Sequence, residues 1–478
     1  MTSNVEKVML MYPNSKWTEW IGRTVWDIHP YNLGLLTAMI KDKYDVSIVD
    51  ATRDDLTKEQ FSEILEKERP DILGISVLTN EYAKAGHIAS QIAKKVLPEI
   101  KTVIGGVYTM TSSPEDIAND SSIDYVVVGE GEYVFRELCN HINGKGDLPK
   151  KGIVHKENGK VVNTGRADFI QNLDELPYPA YSKVDFMKYA TKLQREDITR
   201  PRDIPYARIQ TSRGCPYNCC FCEVGSISGK KPRYRGLENI LGEIEWLMKD
   251  YGVKSLIFDD DNLLTNEERA KDLFKSMIER KYNLSWVIPA LAVNRLDEEM
   301  ISLMKKSGCE LINIAIESGV ERVLKDIIHK PVKLDYAKQM VGKIKQYDID
   351  LIANFVFGFP GETWDEIRQT IKFAEDIDID YVKLFIATPL SANTELYRAA
   401  KQGNYLVDGF HFNQHLWTDG WIRTEEFRPQ DLKILRAYEW DRINFSNPEK
   451  RKKIAKMMDV SEERLNEIRK ETLKRANP

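Results

Sequence analysis

Thr211-Ser212-Arg213-Gly214-Cys215-Pro216-Tyr217-Asn218-Cys219-Cys220-Phe221-Cys222 holds four of the chain's six cysteines inside eight consecutive positions. Core packing does not concentrate thiols in this way. With Cys215, Cys219 and Cys222 as the working set, the spacing is C-x3-C-x2-C, a tight loop with three thiolates facing one point. Three close thiolates without a fourth at matching distance suit an iron–sulfur cube that leaves one iron open to a substrate or cofactor. Other uses of clustered cysteines fit less well. Thiols this close strain a disulfide, and nothing marks the chain as secreted. A structural zinc site takes four ligands, usually from two knuckles, and no second CxxC is present. Cys220 is expected to be dispensable, because two adjacent residues seldom point at one metal.

Working outward, the loop follows Arg208-Ile209-Gln210-Thr211, which reads as a strand. Further apolar runs follow it, each separated from the next by a helical stretch: Ser255–Phe258, Ser285–Ile288, Glu310–Ile316, Leu351–Phe357 and Tyr381–Ile386. Six such units over 201–400 predict a partial (β/α)6 barrel, open at one side to admit a large substrate. The cysteine loop then sits at a strand's carboxyl end, where barrels of this kind carry their chemistry. The same alternation occupies 1–145, with strands at Val8–Tyr12, Val46–Asp50, Ile72–Val77, Thr102–Gly106 and Tyr125–Gly129. Continuous apolar strands separated by helices predict a doubly wound, Rossmann-like parallel sheet covered on both faces. Ligands of such sheets lie at the carboxyl ends, where Ser76, Thr79, Gly105, Gly106, Gly129, Glu130 and Gly131 all fall. No GxGxxG follows the first strand, which argues against a dinucleotide. The fold class is therefore α/β, with two such modules in one chain.

Residues 146–200 read as a connector without a further role. Asn158-Gly159 marks a hairpin turn within it, and the prolines of Leu173–Pro179 block regular structure. Residues 401–478 lose the alternation and are expected to be mainly helical. The aromatic run Phe410–Trp417 with Trp421 is expected to pack the tail of the domain. The last thirty residues hold ten Lys/Arg against six Asp/Glu, a balance suited to solvated helices or a docking surface.

A length of 478 residues allows two to four domains, and 42% hydrophobic with 30% charged residues is ordinary for a globular chain. A net charge of −5 argues against a nucleic-acid binder. No run approaches the length of a membrane span. Reduced cysteines at a cluster point to the cytoplasm, under low oxygen.

The CxxxCxxC loop with aromatic Phe221 resembles the radical SAM superfamily. The resemblance implies that Cys215, Cys219 and Cys222 hold a [4Fe–4S] cluster whose open iron chelates S-adenosylmethionine (SAM), and that the backbone beside Phe221 meets adenine. Ile316-Glu317-Ser318-Gly319 resembles the family's GIES segment, with Ala315 where glycine is usual; Glu317 and Ser318 are thereby implied at the SAM amino group and carboxylate. Asp259-Asp260-Asp261-Asn262 resembles a barrel-mouth segment, implying rim hydrogen bonds. Phe357–Thr363 resembles a GxPGET turn, for which a helix cap is at least as good a reading as ligand contact. Thr388–Tyr397 resembles TPLPGTxLY, but Ser391-Ala392 replace proline and glycine.

In the first module, Leu33-Gly34-Leu35-Leu36, Asp50-Ala51, Gly105-Gly106 and Val128–Glu132 resemble the cobalamin-binding domain fused ahead of radical SAM barrels. Asp27-Ile28-His29-Pro30-Tyr31-Asn32 is a near miss of the cobalt-ligating DxHxxG. His29 is expected to be a loop or capping residue rather than a cobalt ligand. The resemblance implies a cobalamin-dependent radical SAM enzyme using a [4Fe–4S] cluster, SAM and cobalamin, fed by an external electron donor such as flavodoxin or ferredoxin. The leading expectation is methyl transfer from methylcobalamin to an unactivated carbon of a small-molecule or lipid-like natural product, after hydrogen abstraction by a 5′-deoxyadenosyl radical. Cyclisation or oxidation without methyl transfer is the alternative, and a non-catalytic corrinoid-binding protein the reading outside enzymes. Methylthiotransferases carry three further upstream cysteines; here only Cys139 lies upstream.

Overall fold

A computed structural model describes residues 6–18, 29–191, 198–412 and 419–477. The chain divides into two compact units, one comprising Met1–Tyr189 with Ser226–Gly229 and His411–Gln414, the other the remainder.

The first unit is built on a seven-stranded sheet. Strands β1 (Lys7–Tyr12), β2 (Asp45–Asp50), β3 (Ile72–Ser76), β4 (Lys101–Gly105) and β5 (Tyr125–Val127) are parallel, in the order β2-β1-β3-β4-β5. Helices cover both faces, so the strands need no polar side: Met9, Leu10, Met11, Leu73 and Ile104 are all fully buried. The order reverses between β1 and β3, which opens a crevice at their carboxyl ends. β6 (Ile153–Glu157) and β7 (Lys160–Asn163) extend the sheet past β5 as an antiparallel hairpin. Its turn has Asn158 and Gly159 at φ 50° and 76°, as a two-residue loop matched to strand twist requires.

The connector is not an inert linker. Beyond the hairpin that edges the sheet, its Ala180 N–H donates to the Gly34 carbonyl at 2.8 Å. Its Tyr181, Phe186 and Tyr189 rings surround His29, with centroids 5.1 to 5.9 Å away. His29 lies in the loop just before the helix Tyr31–Ile40, as the sequence suggests, and its carbonyl accepts from the Tyr31 N–H at 2.7 Å. The helix Tyr31–Ile40 is entered through Pro30 with no side-chain cap, and His29 is a buried core residue. Asp27 and Ile28 of the near-miss motif lie outside the described residues.

The second unit carries β8 (Tyr206–Ile209), a short ribbon of β9 (Ser212–Arg213) with β10 (Arg233–Tyr234), then β11 (Ser255–Phe258), β12 (Ser285–Leu291), β13 (Cys309–Glu317), β14 (Asp350–Phe357) and β15 (Tyr381–Ile386). Six of these form a parallel sheet in sequence order from β8 to β15, the partial barrel the alternation predicts. β15 is an edge, and the tail deals with it. Asn444, on the helix Pro429–Phe445, accepts from the Val382 N–H at 2.8 Å and donates to the Val382 carbonyl at 2.9 Å, so a carboxamide pairs with the edge as another strand would. Trp440 adds a bond to the Tyr381 hydroxyl at 2.9 Å. Phe410 packs on Tyr397 and Trp421; residues 413–418 of the aromatic run lie outside the described part. Among the described residues no helix is long and apolar enough to cross a membrane.

Candidate functional site

The cysteine loop leaves the carboxyl end of β8, and two of the three acids after β11 hold its first residues. The three acids do different jobs, because successive residues of an extended chain face opposite ways. Asp259 pairs with Arg208. Asp260 is buried and accepts from the Thr211 N–H at 3.1 Å, the Thr211 hydroxyl at 2.8 Å and the Ser212 hydroxyl at 2.5 Å. Asp261 accepts from the Gly214 N–H at 2.7 Å, just before Cys215. These are rim hydrogen bonds, as the sequence suggested, directed at the loop itself. Further along, the Cys220 N–H donates to the Ile328 carbonyl and the Cys220 carbonyl accepts from the Leu396 N–H, both at 2.9 Å. Tyr217 is held through its hydroxyl by Asn294 at 2.8 Å and Arg295 at 3.2 Å. Phe221 packs on Phe359, 5.9 Å between centroids.

The thiols so placed interact. Burial raises the pKa of all four, Cys219 to about 11 and Cys222 to about 12, and Cys220 beyond the range of the others. Cys222 reaches solvent on one side. The negative charges of Cys215 and Cys219 each push Cys222 up further, and Cys215 does the same to Cys219. Asn262 bonds to the Cys215 sulfur and eases it down. Three mutually repelling sulfurs are a donor set that a cationic iron centre relieves, so Cys215, Cys219 and Cys222 fit a cluster. Among the described residues no three His, Cys, Asp or Glu side chains converge tightly enough to share one ion. A cube asks for less, since each cysteine takes a separate iron. His411 and His415 stand at H-x3-H spacing, but His415 lies outside the described residues. Cys139 and Cys309 are buried core residues, as expected.

Glu317 ends β13, where the register with β14 slips between Ala315 and Glu317. Its φ is 75°, a left-handed conformation that costs a non-glycine residue on the order of 1–2 kcal/mol. The turn after it is locked: the Ser318 hydroxyl bonds Thr370 at 3.0 Å, and a Cβ on Gly319 would fall 2.4 Å from Phe373 Cβ. The Ser318 hydroxyl is thus spent within the turn. Lys330, missed by motif reading because no spacing announces it, donates to Glu317 Oε1 at 2.8 Å. Glu362 accepts from the Gly358 and Phe359 N–H groups at 2.6 and 3.0 Å, while Thr363 and Glu366 form a capping box. The GxPGET segment therefore serves as turn and cap. Ser391, at the departure from TPLPGTxLY, is buried and bonds Glu223, the neighbour of Cys222.

In the first unit the implied cofactor residues lie along one carboxyl edge. Ser76 and Gly105 are paired in register at the ends of β3 and β4. Gly106 has φ 97°, and a Cβ there would stand 2.5 Å from the Val77 carbonyl oxygen, so no side chain fits. Gly129, Glu130 and Gly131 lead from β5 into the helix Gly131–Ile142, but the Glu130 carboxylate accepts from the Ile170 N–H at 2.6 Å and so fastens the connector. Residues that no motif marked complete the edge. Tyr12 bonds Asn32, whose amide donates to the Ser76 hydroxyl at 2.9 Å. Asp50 accepts from the Tyr189 hydroxyl at 3.0 Å, and burial lifts it to about 6. Tyr12, Asp50, Thr52, Ser76, Leu78 and Tyr82 line a crevice at this edge. The Thr79 hydroxyl is buried there with no hydrogen-bond partner. Hydroxyls, an orphaned donor and small residues suit a polar ligand laid across the strand ends.

A parallel sheet whose strand ends present hydroxyls and glycine, followed by a six-stranded partial barrel with a three-thiol loop, defines a two-module α/β protein with a candidate site at the carboxyl edge of each sheet. Residues 21–139 match the B12 binding domain model and residues 209–374 the Radical SAM superfamily model. An uncharacterized methyltransferase of Pyrococcus horikoshii is 33% identical over 85% of this chain and 86% of its own. Cytidylyl-2-hydroxyethylphosphonate methyltransferase of Streptomyces wedmorensis is 28% identical over 78% of both chains. An anaerobic magnesium-protoporphyrin IX monomethyl ester cyclase of Rubrivivax gelatinosus is 28% identical over 72% of this chain and 61% of its own. The fold is shared with the cobalamin-dependent SAM radical enzyme OxsB (TM-score 0.71, 17% identity, 96% of this chain and 71% of that one). It is shared also with the radical SAM methyltransferase TsrM of Kitasatospora setae (TM-score 0.67, 19% identity, 84% and 76%). The chain belongs to the cobalamin-binding radical SAM family. It is a cobalamin-dependent radical SAM enzyme, and the family's cofactors are a [4Fe–4S] cluster, SAM and cobalamin.

Proposed function

We propose that this enzyme is a methyltransferase acting on an unactivated carbon of a small-molecule substrate. The observation that carries the reading is the reach of the similarity along this chain: the two methyltransferases match over 85% and 78% of it, the cyclase over 72%. When bound, the cluster and SAM supply a 5′-deoxyadenosyl radical and cobalamin supplies the methyl group. The chain's own part is to hold, orient and exclude. Cys215, Cys219 and Cys222 would each hold one iron, and Cys220, drawn into backbone bonds with Ile328 and Leu396, would hold none. Glu317 would take the SAM ammonium with the carboxylate oxygen that Lys330 leaves open. The backbone beside Phe221 would meet adenine. In the first unit, Ser76, Thr79, Gly105, Gly106 and the Gly129–Gly131 turn would receive cobalamin, without a histidine to cobalt, since His29 is packed among rings. A one-electron donor such as flavodoxin or ferredoxin would reduce the cluster from outside.

Anaerobic turnover with CD3-labelled SAM and the products of neighbouring biosynthetic steps tests the reading. Deuterated methyl in the product is the expected result. Product formed with 5′-deoxyadenosine but without label would replace methyl transfer with cyclisation or oxidation.

A further inference from the structure

Lys330 is a buried cation whose side chain pairs with Glu317 at the end of β13. Its side chain is 6% exposed and that of its partner Glu317 is 8% exposed. Buried ion pairs of this kind rarely stabilise a fold over apolar residues of similar size, because desolvation offsets the attraction. Position gives the pair a different use. The Ile328 carbonyl, two residues before Lys330, accepts the Cys220 N–H at 2.9 Å, so the segment is stitched to the cysteine loop by its backbone. His329 adds a contact to Glu395 at 3.1 Å, and the next residue, Leu396, donates to the Cys220 carbonyl. The ring of bonds fixes where the ammonium lies. From there its charge acts on Cys215, Cys219 and Cys222, while that of Glu317 acts on Cys219 in the opposite sense.

We infer that Lys330 and Glu317 form an opposed pair of charges that sets the reduction potential of the cluster, with Lys330 raising it and positioning the Glu317 carboxylate in its left-handed turn. The physical basis is that an iron–sulfur centre held by thiolates is anionic, and gaining an electron adds to that charge. A neighbouring cation stabilises the reduced form and a neighbouring anion opposes it. The inference rests on the three cysteines holding the cluster.

The test is a redox titration of reconstituted full-length protein without SAM, followed by EPR of the reduced cluster, with iron and sulfide content measured first. Lys330→Met, which removes the charge and keeps the length, should shift the midpoint to more negative values. Glu317→Gln should shift it to more positive values. The double variant should return close to the wild type, because both charges are gone together. Opposite shifts are a signature that loosened packing does not produce. Midpoints unchanged in both single variants, or shifted in the same direction, would overturn the inference. Should Lys330→Met fail to load, Glu317→Gln alone decides through the sign of its shift. A wild-type protein that assembles no cluster overturns the cysteine assignment beneath it.

Discussion

The two units solve one problem with opposite chemistry. Both gather their site residues at the carboxyl ends of parallel strands, where successive loops converge. At the first edge the groups are hydroxyls, carboxamides and glycines: Ser76, Thr79, Asn32, Gly105 and Gly106. Asp50 there is tied to a tyrosine and pushed by burial toward its neutral form. At the second edge the groups are thiols, acids and a buried ion pair, with the acids and the ion pair oriented by hydrogen bonds. A large neutral ligand is gripped over area and by shape, so an edge built for it loses little with any single group. A compact anionic centre is gripped at three points, so each point and its supports matter.

That contrast sets the order of expected effects. Replacing Cys215, Cys219 or Cys222 by alanine should reduce cluster iron and 5′-deoxyadenosine formation to background, whereas Cys220→Ala should keep both; full SAM cleavage by a triple variant would break the assignment. Asp260→Ala strands three donors in a buried place and should lower the unfolding free energy by roughly 3 kcal/mol, with a parallel fall in cluster yield measured by iron content. On the other edge, Gly106→Ala drives a Cβ into the Val77 carbonyl and should cost about 2–3 kcal/mol in denaturant unfolding, with weaker hydroxocobalamin binding.

Titration sharpens the picture. Burial raises Glu362 from the ordinary carboxyl range to about 8. Its protonated form is therefore favoured by the fold, so the stability it contributes is full below about pH 4.5 and is lost as pH rises through 8. Glu362→Gln should flatten the fall in melting temperature between those limits, and an unchanged profile would assign the pH dependence elsewhere. The smallest effect belongs to the first edge. Thr79→Val should weaken hydroxocobalamin binding by about two- to tenfold, the worth of one hydrogen bond, with the fold intact.

Much of this was legible in the chain. Strands stood where continuous apolar runs predicted them, because parallel strands covered on both faces cannot be polar on either. The C-x3-C-x2-C spacing and the IESG segment marked the second edge, since a loop that must close on one centre is written in consecutive residues. His29 stands at the helix entry its proline and loop surroundings suggest, but its burial was not legible, because the aromatic residues that enclose it come from the connector, about 150 positions away. The connector's own role was invisible for the same reason. The replacement of proline and glycine by Ser391-Ala392 was legible, but the partner of Ser391, Glu223, was not.

Sequence by itself determined the two-module α/β architecture, the thiol loop and the family to which the chain belongs, since each is encoded by local periodicity or by spacing within a dozen residues. Only the tertiary structure decided which residues stand behind them. Asp260 and Asp261 hold the first residues of the cysteine loop from 47 to 49 positions away, and Asn32 reaches Ser76 across 44. Lys330 meets Glu317 across 13 positions and an intervening helical segment, Val323–Ile328, that no motif records. Such pairs depend on where the backbone returns, which is settled by packing and strand register rather than by any neighbouring residue.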